Sequence, residues 1–103
     1  MKKPYNEVSH VKEKLILQLY VSGMSSKSMQ AIKNIKLLCG ELLESDFNLE
    51  IIDIYKNPEL AAKHHIVFSP SLIKHQPLPK KILIGTLSDR EMVIKALGIT
   101  SKE

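Results

Sequence analysis

The chain has 103 residues, of which 44% are hydrophobic and 25% charged, and 15 basic against 11 acidic residues give a net charge of +4. These values fit one globular domain, which we expect at residues 14–103 after a flexible lead-in at residues 1–13. The longest apolar run is too short to span a bilayer, and no hydrophobic segment follows the first lysines. We therefore expect a cytoplasmic protein without a membrane partner. The single cysteine, Cys39, excludes an internal disulfide and a paired-thiol redox centre.

The first predicted strand, Leu15 to Val21, has the sequence LILQLYV. Its nearly continuous apolar side chains predict a central strand that is covered on both faces. Gly23 and Ser25 to Ser26 then predict a turn and a helix cap. The amphipathic helix that follows should end near Glu44 to Asn48. Its apolar side chains recur at steps of three and four at Met29, Ile32, Ile35, Cys39 and Leu42, and the stripe is widened by Ala31, Leu38 and Leu43.

A second strand is predicted at Leu49 to Tyr55, and the strand-helix-strand order predicts a right-handed parallel crossover. Asn57 should cap a short helix that begins at Pro58, where a missing N–H is harmless. The segment Ser69 to Ile73 begins a third strand. Its proline either demotes that strand to a sheet edge or occupies a special turn.

A fourth strand is predicted at Lys80 to Ile84 and ends at Gly85. Ser88 and Glu91 have the spacing of a capping box before a final helix, which Gly98 should end. The predicted order is therefore βαβαββα, an α/β arrangement that resembles the thioredoxin fold.

Little in the sequence favours a redox, metal or catalytic site. Redox members of that fold carry two cysteines in the turn after the first strand, where this chain has Gly23 to Ser26 without sulfur nucleophiles. Cys39 lies on the apolar helix stripe, which favours an inert core thiol over a reactive one. The histidines lack the acidic partners of a metal site, so we expect exposed polar residues that could respond to pH: His10, His64, His65 and His75. No phosphate loop, nucleophile elbow or RNA-binding aromatic motif is present, so we expect no enzymatic activity, cofactor or nucleic-acid partner.

Five segments together carry a family resemblance. They are Leu19 to Gly23, Lys56 to Ala61, Ser69 to Leu72, Pro77 to Pro79 and Gly85 to Glu91. In this order and spacing, the chain resembles the KaiB family of the bacterial Kai clock system from Lys14 to about Leu97.

The resemblance implies a non-enzymatic adaptor that binds the ATPase KaiC and, in clock-bearing bacteria, helps to recruit KaiA or the sensor kinase SasA. It also implies self-association as a dimer or tetramer and two folds. One is thioredoxin-like, and the other is a ground state rearranged in its C-terminal half to βαββααβ. The short apolar runs and prolines between Phe68 and Ser88 make that segment plausible for fold switching.

Two groups of residues match functional positions of the family. The resemblance implies partner contact at Gln30, Lys33, Lys56, Lys80 and Lys81, and turning or fold switching at Pro70, Gly85, Thr86, Ser88, Asp89 and Arg90. From the residues alone, Lys33 belongs with Lys27, Lys36 and Glu41 to a helix face that we interpret as solvated rather than binding.

The chain departs from clock members at three points. Gln30 stands where they commonly have arginine, Thr86 stands where they have an acidic residue, and the acidic C-terminal tail is missing. A lost guanidinium removes a bidentate contact, which weakens the expectation of clock-type KaiC binding and leaves a role in stress adaptation open. Two alternatives also stay open: a thioredoxin-fold redox protein that uses Cys39 or a glutathione-type ligand near Pro70, and a SasA-like sensory domain.

Overall fold

The computed structural model describes residues 14–42 and 47–98. Within them, the elements follow in the order β1 (Leu15–Val21), α1 (Ser26–Leu42), β2 (Phe47–Asp53), α2 (Pro58–Lys63), β3 (Ser71–Gln76), β4 (Lys81–Ile84) and α3 (Arg90–Leu97). This order confirms the predicted βαβαββα arrangement. The second expected arrangement, βαββααβ, is not the one described here. The lead-in, His10, Leu43 and the side chain of Leu42 lie outside the description.

The four strands form one sheet in the order β2-β1-β3-β4. β1 pairs in parallel with β2, as a crossover connection requires, and antiparallel with β3, which in turn pairs antiparallel with β4. β1 is therefore central, as predicted. The expectation that β3 could be an edge strand is wrong. Pro70 directly precedes β3, with a cis Ser69–Pro70 bond, and so removes no hydrogen bond from the ladder.

The helices cover the two faces of the sheet unequally. α1 and α3 pack on one face, where alternate β1 side chains such as Leu17 and Leu19 join the larger apolar core. The short helix α2 covers part of the other face, where Leu60 packs against Tyr20 and Ile73. Because α2 has only six residues, much of this second face stays open, and Ile82 and Ile84 of β4 are exposed there.

Two predicted helix caps are corrected. α3 is capped by Asp89 rather than Ser88, since the Asp89 carboxylate accepts a hydrogen bond from the Met92 N–H at 3.2 Å. Asn57 precedes α2 but makes no capping bond with its side chain, which instead donates to the Asp53 carbonyl at 3.2 Å. Gly98 ends α3 in the left-handed conformation, as expected.

The boundaries around α1 and β2 also differ from expectation. β2 begins at Phe47 and ends at Asp53, two residues earlier at each end than the predicted strand. Within α1, Met29 is 45% exposed although its spacing placed it on the apolar stripe, because it lies at the margin of the face that the sheet covers. None of the helices described within 14–42 and 47–98 is long and apolar enough to cross a membrane.

Candidate interaction site

One surface of α1 carries residues that are spaced three or four positions apart and therefore share a side of the helix. They are Gln30, Lys33, Asn34, Leu37 and Glu41. All are at least partly exposed, and Leu37 is 48% exposed, which is unusual for a large apolar side chain on a helix that is otherwise packed against a sheet. This side of α1 faces the segment that joins β4 to α3.

Two contacts join α1 to that segment. The Asn34 amide donates to the Thr86 carbonyl at 2.8 Å. Two turns further along α1, the Arg90 guanidinium donates to the Glu41 carboxylate at 2.6 Å, in an ion pair whose side chains are about half exposed. These contacts fix the distance between α1 and α3 at the surface.

A groove lies between the two helices, and we call it the α1–α3 groove. Apolar side chains form its floor and polar ones its rim, and its lining residues are Asn34, Ile35, Leu37, Leu38, Leu87, Ser88, Arg90 and Val93. Leu87 is buried in a left-handed backbone conformation, with φ of 61°, which shapes the bend between β4 and α3. An apolar floor with a polar rim is suited to protein contact rather than to catalysis.

The structure divides the predicted site residues among several places. Six of them flank the α1–α3 groove: Gln30, Lys33, Thr86, Ser88, Asp89 and Arg90. Pro70 and Gly85 lie at the end of the sheet where β3 begins and β4 ends, and the Gly85 N–H donates to the Pro70 carbonyl at 2.9 Å. Lys56 lies in the turn between β2 and α2, and Lys80 and Lys81 lie at the start of β4. All three of these lysines are exposed.

The turn after β1 is built from hydroxyl groups. Ser28 is buried at the start of α1, where its Oγ accepts bonds from the Ser22 N–H at 3.0 Å and the Ser25 hydroxyl at 2.8 Å. The Ser22 and Ser69 hydroxyls touch across the turn. Cys39 lies three turns further along α1 from Ser28, is buried, and has a pKa raised by burial to about 11. A thiol with such a pKa is almost fully protonated near neutral pH and therefore a poor nucleophile.

A polar cluster occupies the opposite face of the sheet, centred on Gln18 of β1. The Gln18 amide donates to Glu50 at 3.0 Å, and its oxygen accepts from the Tyr20 hydroxyl at 3.1 Å and lies 2.7 Å from Nε2 of His75. The ring of His64, at the end of α2, packs against that of His75, with centroids 5.5 Å apart. We call these five residues the histidine cluster. The expectation that His64 and His75 are simply exposed is therefore wrong, because sheet pairing brings them together.

The matching family model is the KaiB domain, and it covers residues 18–99 of the chain. Circadian clock protein KaiB3 of Synechocystis sp. is 41% identical over 86 residues, which are 84% of each chain. The chain belongs to the KaiB family. The circadian clock oscillator protein KaiB of Synechococcus elongatus is 40% identical over 84 residues, or 82% of each chain. These relatives support a clock-related regulatory role for the chain at the level of the family.

Solved structures with this fold include members of two groups. The N-terminal domain of Synechococcus elongatus SasA gives a TM-score of 0.69 at 23% identity and covers 84% of this chain and 86% of that one. Deadhead thioredoxin of Drosophila melanogaster gives 0.68 at 15% identity and covers 91% and 88%. At these identities the likeness concerns the fold alone, and it confirms the thioredoxin-like class. This KaiB-family chain keeps the fold with serines where redox thioredoxins have thiols.

Two features of the structure were not predicted from the sequence. Lys74 of β3 is only 4% exposed, and burial together with its neighbour Lys81, which pairs with it across the strands, lowers its pKa. The second feature is the histidine cluster. Gln18 gave a signal for it, because a lone amide in an apolar central strand needs hydrogen-bond partners. Among the described residues, no group of three or more His, Cys, Asp or Glu side chains is arranged to hold a metal ion.

Proposed function

We propose that this chain is a regulatory adaptor of the KaiB type that acts by binding another protein, a KaiC-type ATPase, without catalysing a reaction itself. Its membership of the KaiB family is the observation that carries the proposal. Two features of the chain support it: the turn after β1 holds serines in place of thiols, and the Cys39 thiol is buried with a raised pKa.

The α1–α3 groove is the surface that we propose for partner contact. It combines an exposed apolar residue, Leu37, with the guanidinium of Arg90, and the exposed Lys33 lies beside it on α1. The groove can therefore bury apolar area, while acidic side chains of a partner pair with Lys33 and compete with Glu41 for Arg90. Gln30 lies on the same side of α1 and supplies an amide in place of the guanidinium that clock members commonly carry. Partner binding weaker than in a clock oscillator, and a role in stress adaptation, fit this difference.

The experiment is co-purification of the tagged chain with the KaiC-like ATPase of its own cell, with and without ATP. Two variants with equal charge change are compared with the wild type. Lys33→Glu with Arg90→Glu reverses charge at the groove, and Lys36→Glu with Lys95→Glu reverses it at exposed positions of the same helices outside the groove. We expect the first pair to abolish the complex and the second to reduce it only slightly.

Each outcome has a defined consequence. If no complex forms in either nucleotide condition, the proposed adaptor function is wrong. If both double variants lose binding equally, the groove is not the binding surface and the attraction is non-specific charge attraction. Gln30→Arg should tighten binding, because a guanidinium can make two parallel hydrogen bonds to a carboxylate. Lys56→Glu and Lys80→Glu report whether the remaining predicted lysines take part.

A second candidate is a free-standing sensory domain, which the fold shared with the SasA N-terminal domain favours. The two candidates differ in self-association, since the adaptor proposal includes a dimer or tetramer. The mass of the purified chain in solution, measured across a range of concentrations, separates them. A monomer at every concentration would favour the sensory domain.

A further inference from the structure

The pair of rings in the histidine cluster joins the end of α2 to β3, beside the apolar cluster that Leu60 and Ile66 pack against. His64 follows the last residue of α2, and His75 lies near the end of β3. Their rings are inclined at 72°, and the Tyr20 ring lies 6.2 Å from that of His64. Edge-to-face packing of this kind is favourable between neutral rings. The pair therefore helps to hold the end of α2 against the sheet.

The hydrogen bonds of Gln18 assign the proton on His75. Because the Gln18 amide nitrogen donates to Glu50, its oxygen must face the Tyr20 hydroxyl and Nε2 of His75. That oxygen accepts hydrogen bonds, so Nε2 carries the proton and Nδ1 of the neutral ring is free of one. Protonation of His75 would thus add its charge at Nδ1.

The groups around the two rings are mainly basic. Burial lowers the pKa of both histidines, and the neighbouring Lys80 lowers both further. Lys63 and His65 also lower the pKa of His64. If both paired rings were protonated, two positive charges would lie side by side. The acidic group of the cluster is Glu50, which is exposed and bonded to the Gln18 amide. A charge gained by either ring is therefore poorly compensated.

The end of α2 is the part that such a charge would move. The His65 N–H donates to the Ala62 carbonyl at 3.1 Å, and the Ile66 N–H donates to the Ala61 carbonyl at 2.8 Å, which is the pattern of a Schellman motif. Glycine usually occupies the left-handed position of this motif, yet His65 holds it here with φ of 55°. A side chain there is unfavourable, so this end depends on its contacts with the sheet.

We propose that His64 and His75 form a pH-sensitive contact that holds the end of α2 against β3 near neutral pH and releases it when the rings take up protons. The proposal concerns residues outside the α1–α3 groove and does not depend on the identity of a partner. A histidine whose pKa is lowered by folding stabilises the folded form fully above its unfolded value of 6.5, and this contribution is lost as the pH falls below that value. Release is therefore expected on acidification.

Two measurements on the wild-type protein test the proposal, both in a chelating buffer so that metal ions play no part. The first follows the ring protons of the four histidines by NMR from pH 8 to 5. We expect His64 and His75 to titrate below 6.5. The second follows amide hydrogen exchange, corrected for the intrinsic pH dependence. Opening at His65 and Ile66 should rise about tenfold for each unit by which a pKa is lowered, while β1 amides change little.

Variants then separate the ring pair from general acid loosening. His64→Gln should raise the pKa of His75 and flatten the pH dependence of exchange at residues 65–66. His75→Gln should likewise raise the pKa of His64 and flatten that dependence. His65→Gln tests the surrounding charge alone: it should raise the pKa of His64, which His65 lowers, while the ring pair and the pH dependence of exchange at Ile66 remain. The proposal would be overturned if both wild-type histidines titrated near 6.5, or if the pH dependence of exchange at residues 65–66 matched that of global unfolding. Both measurements use the wild-type protein, so they remain decisive even if a variant fails to fold.

Discussion

Strands β1 and β4 are both rich in aliphatic residues, yet they differ in how far the fold buries them. Five of the seven residues of β1 are buried, whereas none of the four residues of β4 is. β1 has a hydrogen-bonded strand on each side and helices over both faces, while β4 is an edge strand whose Ile82 and Ile84 face the more open side of the sheet. Burial therefore follows position in the sheet rather than side-chain type.

The difference extends to the elements that follow each strand. After β1, hydrogen-bonded serines lead into a helix of 17 residues that packs along the core. After β4, the chain passes through a left-handed Leu87 into a helix of eight residues. Because few buried contacts and strained backbone lower the free energy of local opening, we expect the C-terminal part to open more readily. That expectation is compatible with the proposed fold switching, which needs a weakly committed segment.

The largest expected effect concerns Cys39, which lies in the core beneath β1. Near neutral pH, a thiol pKa of about 11 instead of 9.0 leaves roughly one hundredth of the thiolate. Because burial also blocks access, a thiol reagent should modify the native protein only as fast as the core opens. The matched control is Met24→Cys in a Cys39→Ala background, since Met24 is 80% exposed. Equally fast labelling of both proteins would revive the redox alternative.

A pair of alanine substitutions measures the difference between the strands directly. Leu19→Ala removes a fully buried side chain from β1 and should lower the free energy of unfolding by about 2–5 kcal/mol. Ile84→Ala shortens a side chain that is 57% exposed on β4 and should cost less than about 1 kcal/mol. Urea denaturation measures both. Similar costs at the two positions would mean that β4 is covered in solution, for example by another copy of the chain.

Leu87 gives a sharper test of the bend after β4. Leu87→Ala loses a buried side chain, whereas Leu87→Gly loses slightly more but gains relief of the left-handed backbone, worth about 1–2 kcal/mol. We therefore expect the glycine variant to be the more stable of the two. At Val93, which is buried in the middle of α3, the order should be reversed by about 1 kcal/mol, because glycine is the poorer helix former. The same order at both positions would contradict strain at Leu87.

The same contrast explains what the sequence could predict. Strand β1 was predictable from its short, nearly continuous apolar run, and the stripe of α1 was predictable because its apolar side chains repeat with the period of a helix. Met29 was misplaced, since periodicity indicates a helical face without showing how wide a strip the sheet covers. The N-cap of α3 was misassigned because Ser88 and Asp89 are adjacent and both residue types are favoured at the N-cap position.

The candidate sites depended on contacts that lie far apart in the chain. Gln18 and His75 are 57 residues apart, and Asn34 and Thr86 are 52 apart. Such pairs become neighbours only through the strand order of the sheet, which periodicity does not determine. Family resemblance supplied residues on both sides of the α1–α3 groove, but only the packing of α1 beside α3 shows that they share one surface.

The smallest expected effect concerns the ion pair that links the two unequal parts at the surface. Arg90 and Glu41 are about half exposed, and such pairs contribute between zero and about 1 kcal/mol because water and salt screen them. Arg90→Gln should therefore lower stability only slightly, and a double-mutant cycle with Glu41→Gln should give a coupling energy that vanishes in high salt. A coupling well above 1 kcal/mol that persists in salt would mean that α3 is anchored to α1 as firmly as a buried core element. In that case the ready opening expected of the C-terminal part would have to begin at β4, without release of α3.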